Sequence, residues 1–210
     1  MIISLFGPDG VGKSSLAKLF SDDGFQVFSG TGVALWPDKS WINELNAKGL
    51  DETRIDDENH FLEKIKRAHT LARSLEKTNK VVIDSDPLHK TLMHDLLKHG
   101  KGNQRKKLES RFRQLANIAD IDNRYVHVHM QISENLSDKE QAKILYQRIR
   151  KRGALAPFDP KTLEESIEMV RSCKIIFSLL MADGHTVVTI NTLTQPSFDE
   201  IESLINSAIV

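Results

Sequence analysis

The segment Gly7-Pro8-Asp9-Gly10-Val11-Gly12-Lys13-Ser14 sets glycines, a lysine and a hydroxyl at the spacing of a phosphate-gripping turn. It follows the apolar run Ile2-Ile3-Ser4-Leu5-Phe6 and precedes the helical pattern Ser15-Leu16-Ala17-Lys18-Leu19-Phe20. Glycines let the backbone curl so that successive N–H groups point inward, the following helix aims its positive end at the same place, and Lys13 adds a full charge. An anionic phosphate chain fits that arrangement, held by Gly7, Gly10, Val11, Gly12, Lys13, Ser14 and Ser15. Ser14 also brings the hydroxyl that holds Mg²⁺ in such loops. A turn with glycines for geometry alone leaves Lys13-Ser14 unexplained.

A second group of residues follows the apolar run Val81-Val82-Ile83, which ends in Asp84-Ser85-Asp86-Pro87. In an open parallel sheet ligands sit at the carboxyl ends of strands. Side chains alternate along a strand, so Asp84 and Asp86 project to one side if extended geometry continues through both. One of them is then placed to hold Mg²⁺ or its water and the other to accept a proton or hydrogen bond from an acceptor group. The plainer alternative is that Asp86-Pro87 merely starts a turn and Asp84 caps the next helix.

Farther on, helical spacing puts Arg148 and Arg152 of Gln147-Arg148-Ile149-Arg150-Lys151-Arg152-Gly153 on one face and Arg150 on the other. Two guanidinium groups on one face clamp a phosphate in transfer, and equally they suit a solvated helix end that complements the dipole. The basic run Lys98, Lys101, Arg105, Lys106, Lys107, Arg111 and Arg113 is interrupted by Glu109 and carries only Phe112 as an aromatic. A solvated face is favoured there over a polyanion-binding surface, so a nucleic-acid partner is not favoured. The eight histidines show no zinc spacing. His89, shortly after Asp86, is the one placed to help bind an acceptor anion. Trp36 and Trp41 read as packing anchors rather than base-stacking platforms, and Cys173 as a small buried apolar group.

These residues are positioned by short β-rich apolar runs alternating with longer helical patterns, the mark of an α/β fold whose parallel sheet is covered on both faces. Five strands are expected, at Ile2 to Phe6, Phe25 to Ser29, Val81 to Asp84, Tyr125 to Ile132 and Thr186 to Asn191. The helices run from about Lys13 to Ser21, Ile55 to Lys77, Leu88 to His99, Lys106 to Ile118, Lys139 to Lys151, Lys161 to Ala182 and Ser197 to Ile209. The stretch from Gly30 to Asp57 has the weakest periodicity. A chain of 210 residues suits one domain with an ample core. Its 29 basic and 29 acidic residues cancel, so no global charge points to nucleic acid or a membrane surface. The single cysteine, the absence of a basic leader at the start and the lack of a membrane-spanning run imply a soluble cytoplasmic protein.

Gly7 to Ser15 resembles the thymidylate kinase form of the phosphate loop, with an acidic residue two places after the first glycine. The wider pattern is similar to the nucleotide-kinase branch of P-loop proteins. It comprises a strand ending Asp84-x-Asp86, the arginines at 148 to 152, and a last strand Val187 to Asn191 followed by Ser197-Phe198-Asp199-Glu200-Ile201. The resemblance implies a P-loop NTPase fold, a three-layer sandwich with a five-stranded parallel sheet, forming a single kinase domain over 1–210 with a lid at about 137–160. It implies transfer of a γ-phosphoryl group from ATP, with Mg²⁺, to a nucleoside monophosphate or a related small phosphorylated acceptor. By the same resemblance Lys13 and the loop amides bind the ATP phosphates, Ser14 and Asp84 the metal, and Asp9 a sugar hydroxyl of the acceptor. Arg148 and Arg152 act from the lid, because position 10 is glycine and the loop carries no arginine of its own. Asn191 to Gln195 line the adenine. A homodimer completes the expected partners.

Two positions depart from that family. Asp84-Ser85 stands where Asp-Arg is usual, and Ser29-Gly30-Thr31-Gly32 replaces Arg-Glu-Pro-Gly. Both belong to the acceptor side, where Arg67 or Arg73 on the preceding helix would take over phosphate binding. The other readings are a kinase of 5′-hydroxyl polynucleotide ends or of another small molecule, and a nucleotide-binding regulatory module without transfer activity.

Overall fold

A computed structural model describes residues 1–29, 34–36, 58–99, 105–153 and 159–209. Within them the chain runs β1 (Ile2–Phe6), α1 (Lys13–Asp22), β2 (Gln26–Ser29), β3 (Ala34–Trp36), α2 (Glu58–Glu76), β4 (Val81–Asp84) and α3 (Pro87–His99). It continues through α4 (Arg105–Ala119), β5 (Tyr125–Gln131), α5 (Asp138–Lys151), α6 (Leu163–Ala182), β6 (Thr186–Asn191) and α7 (Phe198–Ser207). The strands form one sheet in the order β3-β2-β4-β1-β5-β6. All five strands expected from the sequence are present and mutually parallel. Their runs of Ile, Val and Phe are apolar on both faces because helices cover both.

A sixth strand was not expected. β3 pairs antiparallel with β2, Val27 opposite Trp36 and Phe28 opposite Ala34, with a register shift between them. It is three residues long and lies where the sequence pattern is weakest, so no period-2 signal marks it. The backbone of Trp36 belongs to it, while Trp41, Lys101 and Gly30 to Gly32 lie outside the described residues.

Alternation along the strands splits the core in two. Ile3, Leu5, Val82, Val126 and Val128 face α1 and α7, meeting Leu16, Phe20, Ile201 and Ile205. Ile2, Phe6, Val81, Ile83 and Tyr125 face the other way, against Ile65, Ala68 and Ala72 of α2 and Leu88 and Leu92 of α3. Burying one such aliphatic or aromatic side chain contributes roughly 1.5–3 kcal/mol, so together they anchor the strand tips that carry the site. Caps hold the helices that flank it. Ser137 and Ser197 each form a capping box with Glu140 and Glu200, and Thr162 caps α6 through Glu165 N.

The second face of the sheet is unusual in what it buries. Ser4, His69, Asp86, His89, His127 and His129 are all nearly inaccessible there. Asp86 Oδ2 accepts from Ser4 Oγ at 2.5 Å, its Oδ1 lies 3.1 Å from His69 Nε2, and His69 Nδ1 lies 3.1 Å from the Tyr125 hydroxyl. The ring of Phe6 stacks on His89 at 4.3 Å and on His129 at 5.0 Å. No described helix is long and apolar enough to cross a membrane.

Candidate active site

β1 delivers the chain into the glycine-rich loop, and two glycines there are required by space. A Cβ on Gly7 would sit 2.4 Å from the Met130 carbonyl oxygen, because the loop turns back across the tip of β5. A Cβ on Gly10 would meet Leu145 O at 3.2 Å and Ile149 Cγ1 at 3.1 Å, so α5 is seated directly against the loop. Val11 is buried in the core beneath, and Gly12, with φ 105°, breaks the chain into the start of α1. Lys13 reaches back over the turn, its Nζ donating to Gly7 O at 2.8 Å and Pro8 O at 3.0 Å. Asp9 Oδ1 stands 3.4 Å from the same ammonium.

Ser14 Oγ donates to Asp84 Oδ2 at 2.9 Å, which joins the first turn of α1 to the tip of β4. A hydroxyl and a buried carboxylate side by side, under a lysine and a ring of backbone amides, is a hard-oxygen donor set that suits Mg²⁺ and a phosphate chain. The residues present therefore fit both groups. Ser15 is exposed on the same turn of α1.

Asp86 departs from the sequence expectation. Ser85 adopts φ 58°, so the strand does not stay extended and the two carboxylates part company. Asp84 turns to Ser14, whereas Asp86 turns into the interior and its Oδ1 also accepts from Leu88 N at 2.8 Å, capping α3 with Pro87 in the first turn. Burial pushes the Asp86 carboxyl up, but the charges and hydrogen bonds of His69, His89 and Ser4 outweigh it and hold the group well below the usual carboxylate range. It is a permanently ionised anchor for α3 rather than an exposed base.

Beside the loop opens a narrow cleft lined by Leu5, Phe6, Gly7, Asp9, Lys13, Ser85, Asp86, His89, Lys90, Met93, Cys173 and Ile176. Asp9 is part of that lining. His89 lines it as well, yet burial lowers that ring to about 4, so at neutral pH it offers a hydrogen bond and not a charge. Cys173 is buried and its thiol is pushed up to about 12, so it is no nucleophile there. Arg67 and Arg73 do not line the cleft. Arg67 pairs with Glu63 at 3.0 Å on its own helix, and Arg73 donates to Ala119 O at 2.6 Å, at the end of α4. The cation the sequence reading missed is Lys90, one helical turn beyond Asp86. It is exposed and lines the cleft, and the packing around it, then the Lys13 charge, lowers its pKa.

On α5, Arg148 is exposed and makes no hydrogen bond or ion pair among the described residues, while Arg152 donates to Asp159 at 2.7 Å. Arg150, on the opposite side, is tied to Tyr146 and Lys161 O. Asn191 ends β6 half-buried, its Oδ1 accepting from Gln131 Nε2 at 2.9 Å. In the basic run, Arg111 bonds Asp95 at 3.0 Å and Arg113 pairs with Asp183 at 3.5 Å, as a solvated, acid-paired face does. The side chains of Lys98, Arg105 and Lys106 lie outside the described residues.

No known protein-family profile matches the chain, and no curated protein matches its sequence. Solved structures match its fold. Deoxyadenosine kinase from M. mycoides with bound dATP is 14% identical and aligns over 99% of this chain and 98% of its own, with a TM-score of 0.56. The YorR protein of Bacillus subtilis in complex with phosphorylated GDP is 16% identical over 100% of this chain and 95% of its own, with a TM-score of 0.57. The same M. mycoides kinase with products dCMP and a flexible dCDP aligns at 13% identity with a TM-score of 0.53. The chain therefore shares the fold of these proteins, five parallel strands between two helical layers, with antiparallel β3 added at the edge of the sheet.

Proposed function

We propose that the protein is a phosphotransferase that uses ATP and Mg²⁺ to phosphorylate a nucleoside monophosphate or a closely related small phosphorylated acceptor. The observation that carries this reading is the 2.9 Å Ser14–Asp84 hydrogen bond, whose chain neighbours Lys13 and Ser85 both line the cleft beside the loop. The kinase fold and the nucleotides bound by the two neighbouring proteins support it. Bound MgATP supplies the phosphoryl group and a metal that offsets its charge.

The remaining work falls to the chain. Lys13 exchanges its contacts with Gly7 O and Pro8 O for phosphate oxygens, keeping the ammonium where charge accumulates in transfer. Ser14 and Asp84 hold the metal, and Asp9 orients the acceptor's sugar. Arg148, free on α5, adds a guanidinium to the transferring group, and the lid segment at about 137–160 excludes water as a competing acceptor. Asn191 lies at the base-binding end. The acceptor oxygen bonds to the γ-phosphorus as the bond to the bridging oxygen breaks, and ADP leaves with that electron pair.

The test is an ADP-release screen across nucleoside monophosphates, nucleosides and 5′-hydroxyl oligonucleotides, with Lys13→Ala as control. Acceptor-dependent release with a monophosphate supports the reading. Release only with oligonucleotides assigns the polynucleotide-end activity instead. ATP binding without any acceptor-dependent release makes the protein a nucleotide-binding module.

A further inference from the structure

We infer that Lys90 anchors the phosphate the acceptor already carries, and that the cleft thereby selects phosphorylated acceptors over their unphosphorylated counterparts. This rests on the phosphotransferase reading above and names its acceptor class through a residue on α3.

Two lysines line the cleft, Lys13 and Lys90. Lys13 is satisfied by two loop carbonyls and Asp9. The Lys90 ammonium makes no hydrogen bond or ion pair among the described residues, although Asp9 and Asp84 both act on its charge. Those acids are engaged elsewhere, Asp9 with Lys13 at 3.4 Å and Asp84 with Ser14 at 2.9 Å. Asp86 is spent on Ser4, His69 and Leu88 N. Lys90 is exposed on the cleft wall beside a second lysine's field and without a carboxylate of its own, so its ammonium is open to a ligand anion. A ligand phosphate supplies the missing counter-charge in a charge-assisted hydrogen bond.

The rest of the wall agrees. Phe6, Met93 and Ile176 give an apolar lining suited to a flat ring or a sugar face. The sequence candidates for this duty do not line the cleft: Arg73 is held by the end of α4, and Arg67 donates through Nε to Glu63 while its Nη1 is buried without a hydrogen-bond partner among the described residues. Ser85, at the tip of β4, carries no charge. The competing account is that Lys90 lays its aliphatic stem across the cleft mouth for packing alone.

Calorimetry without ATP, using the common ribo- and deoxyribonucleoside 5′-monophosphates and the matching nucleosides, separates the two on wild type, Lys90→Met and Lys90→Arg. Expected is at least one monophosphate bound tenfold or more tighter than its nucleoside. Lys90→Met should weaken that monophosphate by about 10- to 100-fold and leave nucleoside and ATP binding within about twofold, with Lys90→Arg recovering most of the loss. Equal binding of nucleosides and monophosphates by wild type, or an equal loss of both in Lys90→Met, overturns the assignment and leaves Lys90 a packing residue. Parallel ADP release keeps the two proposals apart. Monophosphates that bind through Lys90 without being phosphorylated sustain this inference and defeat the transferase reading. Nucleosides phosphorylated in preference to monophosphates sustain the transferase and defeat this one, and a wild type that binds neither class overturns both.

Discussion

Ser14 and Asp84, separated by 70 residues in sequence, meet through a 2.9 Å hydrogen bond because β4 lies directly beside β1 in the sheet. The pair joins the helix that follows the phosphate loop to the strand that ends in the acidic turn. Asp84→Asn keeps the shape and removes the charge. Phosphoryl transfer should fall by about 10²-fold or more and lose its response to added Mg²⁺, while the melting temperature changes little. ADP release over a magnesium titration reads the first, and a thermal melt the second.

Lys13→Ala removes the ammonium that spans Gly7 O and Pro8 O. Turnover should drop by on the order of 10²-fold or more, a loss of several kcal/mol of transition-state stabilisation. Matching rates in variant and wild type would remove the loop from the chemistry.

Gly7→Ala tests the loop's geometry apart from its charge. The added Cβ would lie 2.4 Å from the Met130 carbonyl oxygen, a backbone atom that cannot swing aside. Stability should fall by about 1–3 kcal/mol, with nucleotide affinity falling alongside. A variant that melts with wild type shows that β5 and the loop do not approach as described.

The buried histidines set the acid side of the stability curve. Burial lowers His89 and His129 to about 4 and His127 well below its ordinary value, so the folded protein keeps all three uncharged. The unfolded chain protonates them near pH 6.5 and therefore binds more protons between about pH 6.5 and 4, so stability declines on acidification through that window. Each such histidine steepens the decline by up to about 1.4 kcal/mol per pH unit. Asp86, also shifted downward, contributes stability above the ordinary carboxylate pKa that is lost only at still lower pH. Urea melts at pH 7 and pH 5 should differ clearly. His127→Leu, which removes two buried nitrogens without partners among the described residues, should narrow the gap.

Arg148 and Arg152 should separate in their effects. Arg148→Ala should lower kcat by tenfold or more with a small change in KM for ATP, since the side chain is exposed and unengaged. Arg152→Ala loses the 2.7 Å contact with Asp159 and should cost less turnover. An effect of Arg148→Ala on ATP affinity alone would move α5 from transfer to nucleotide binding.

What could be read from the sequence divides by how local the physics is. The phosphate loop was readable because its chemistry lies within eight consecutive residues, and the five parallel strands because burial on both faces leaves unbroken apolar runs. β3 was not, being a three-residue edge strand with no pattern of its own. The duty of Asp86 was hidden for a different reason, since its partners Ser4 and His69 lie 82 and 17 residues away and only the folded sheet brings them together. Lys90 looks like any solvated helix lysine until the walls around it are known. Arg67 gave the opposite error, a helix arginine near the right strand whose partner Glu63 sits one turn earlier.

The position of β1 also bears on how the protein comes into being. Ile2 pairs with Val81 on one side and Tyr125 on the other, so the strand that feeds the catalytic loop is synthesised well before either neighbour. At ribosomal speeds of about 5–20 residues per second, this greasy ribbon waits on the order of ten seconds for its second flank. Slowing translation between β4 and β5 prolongs that exposure and should lower the yield of native protein more than the same pause placed after β5.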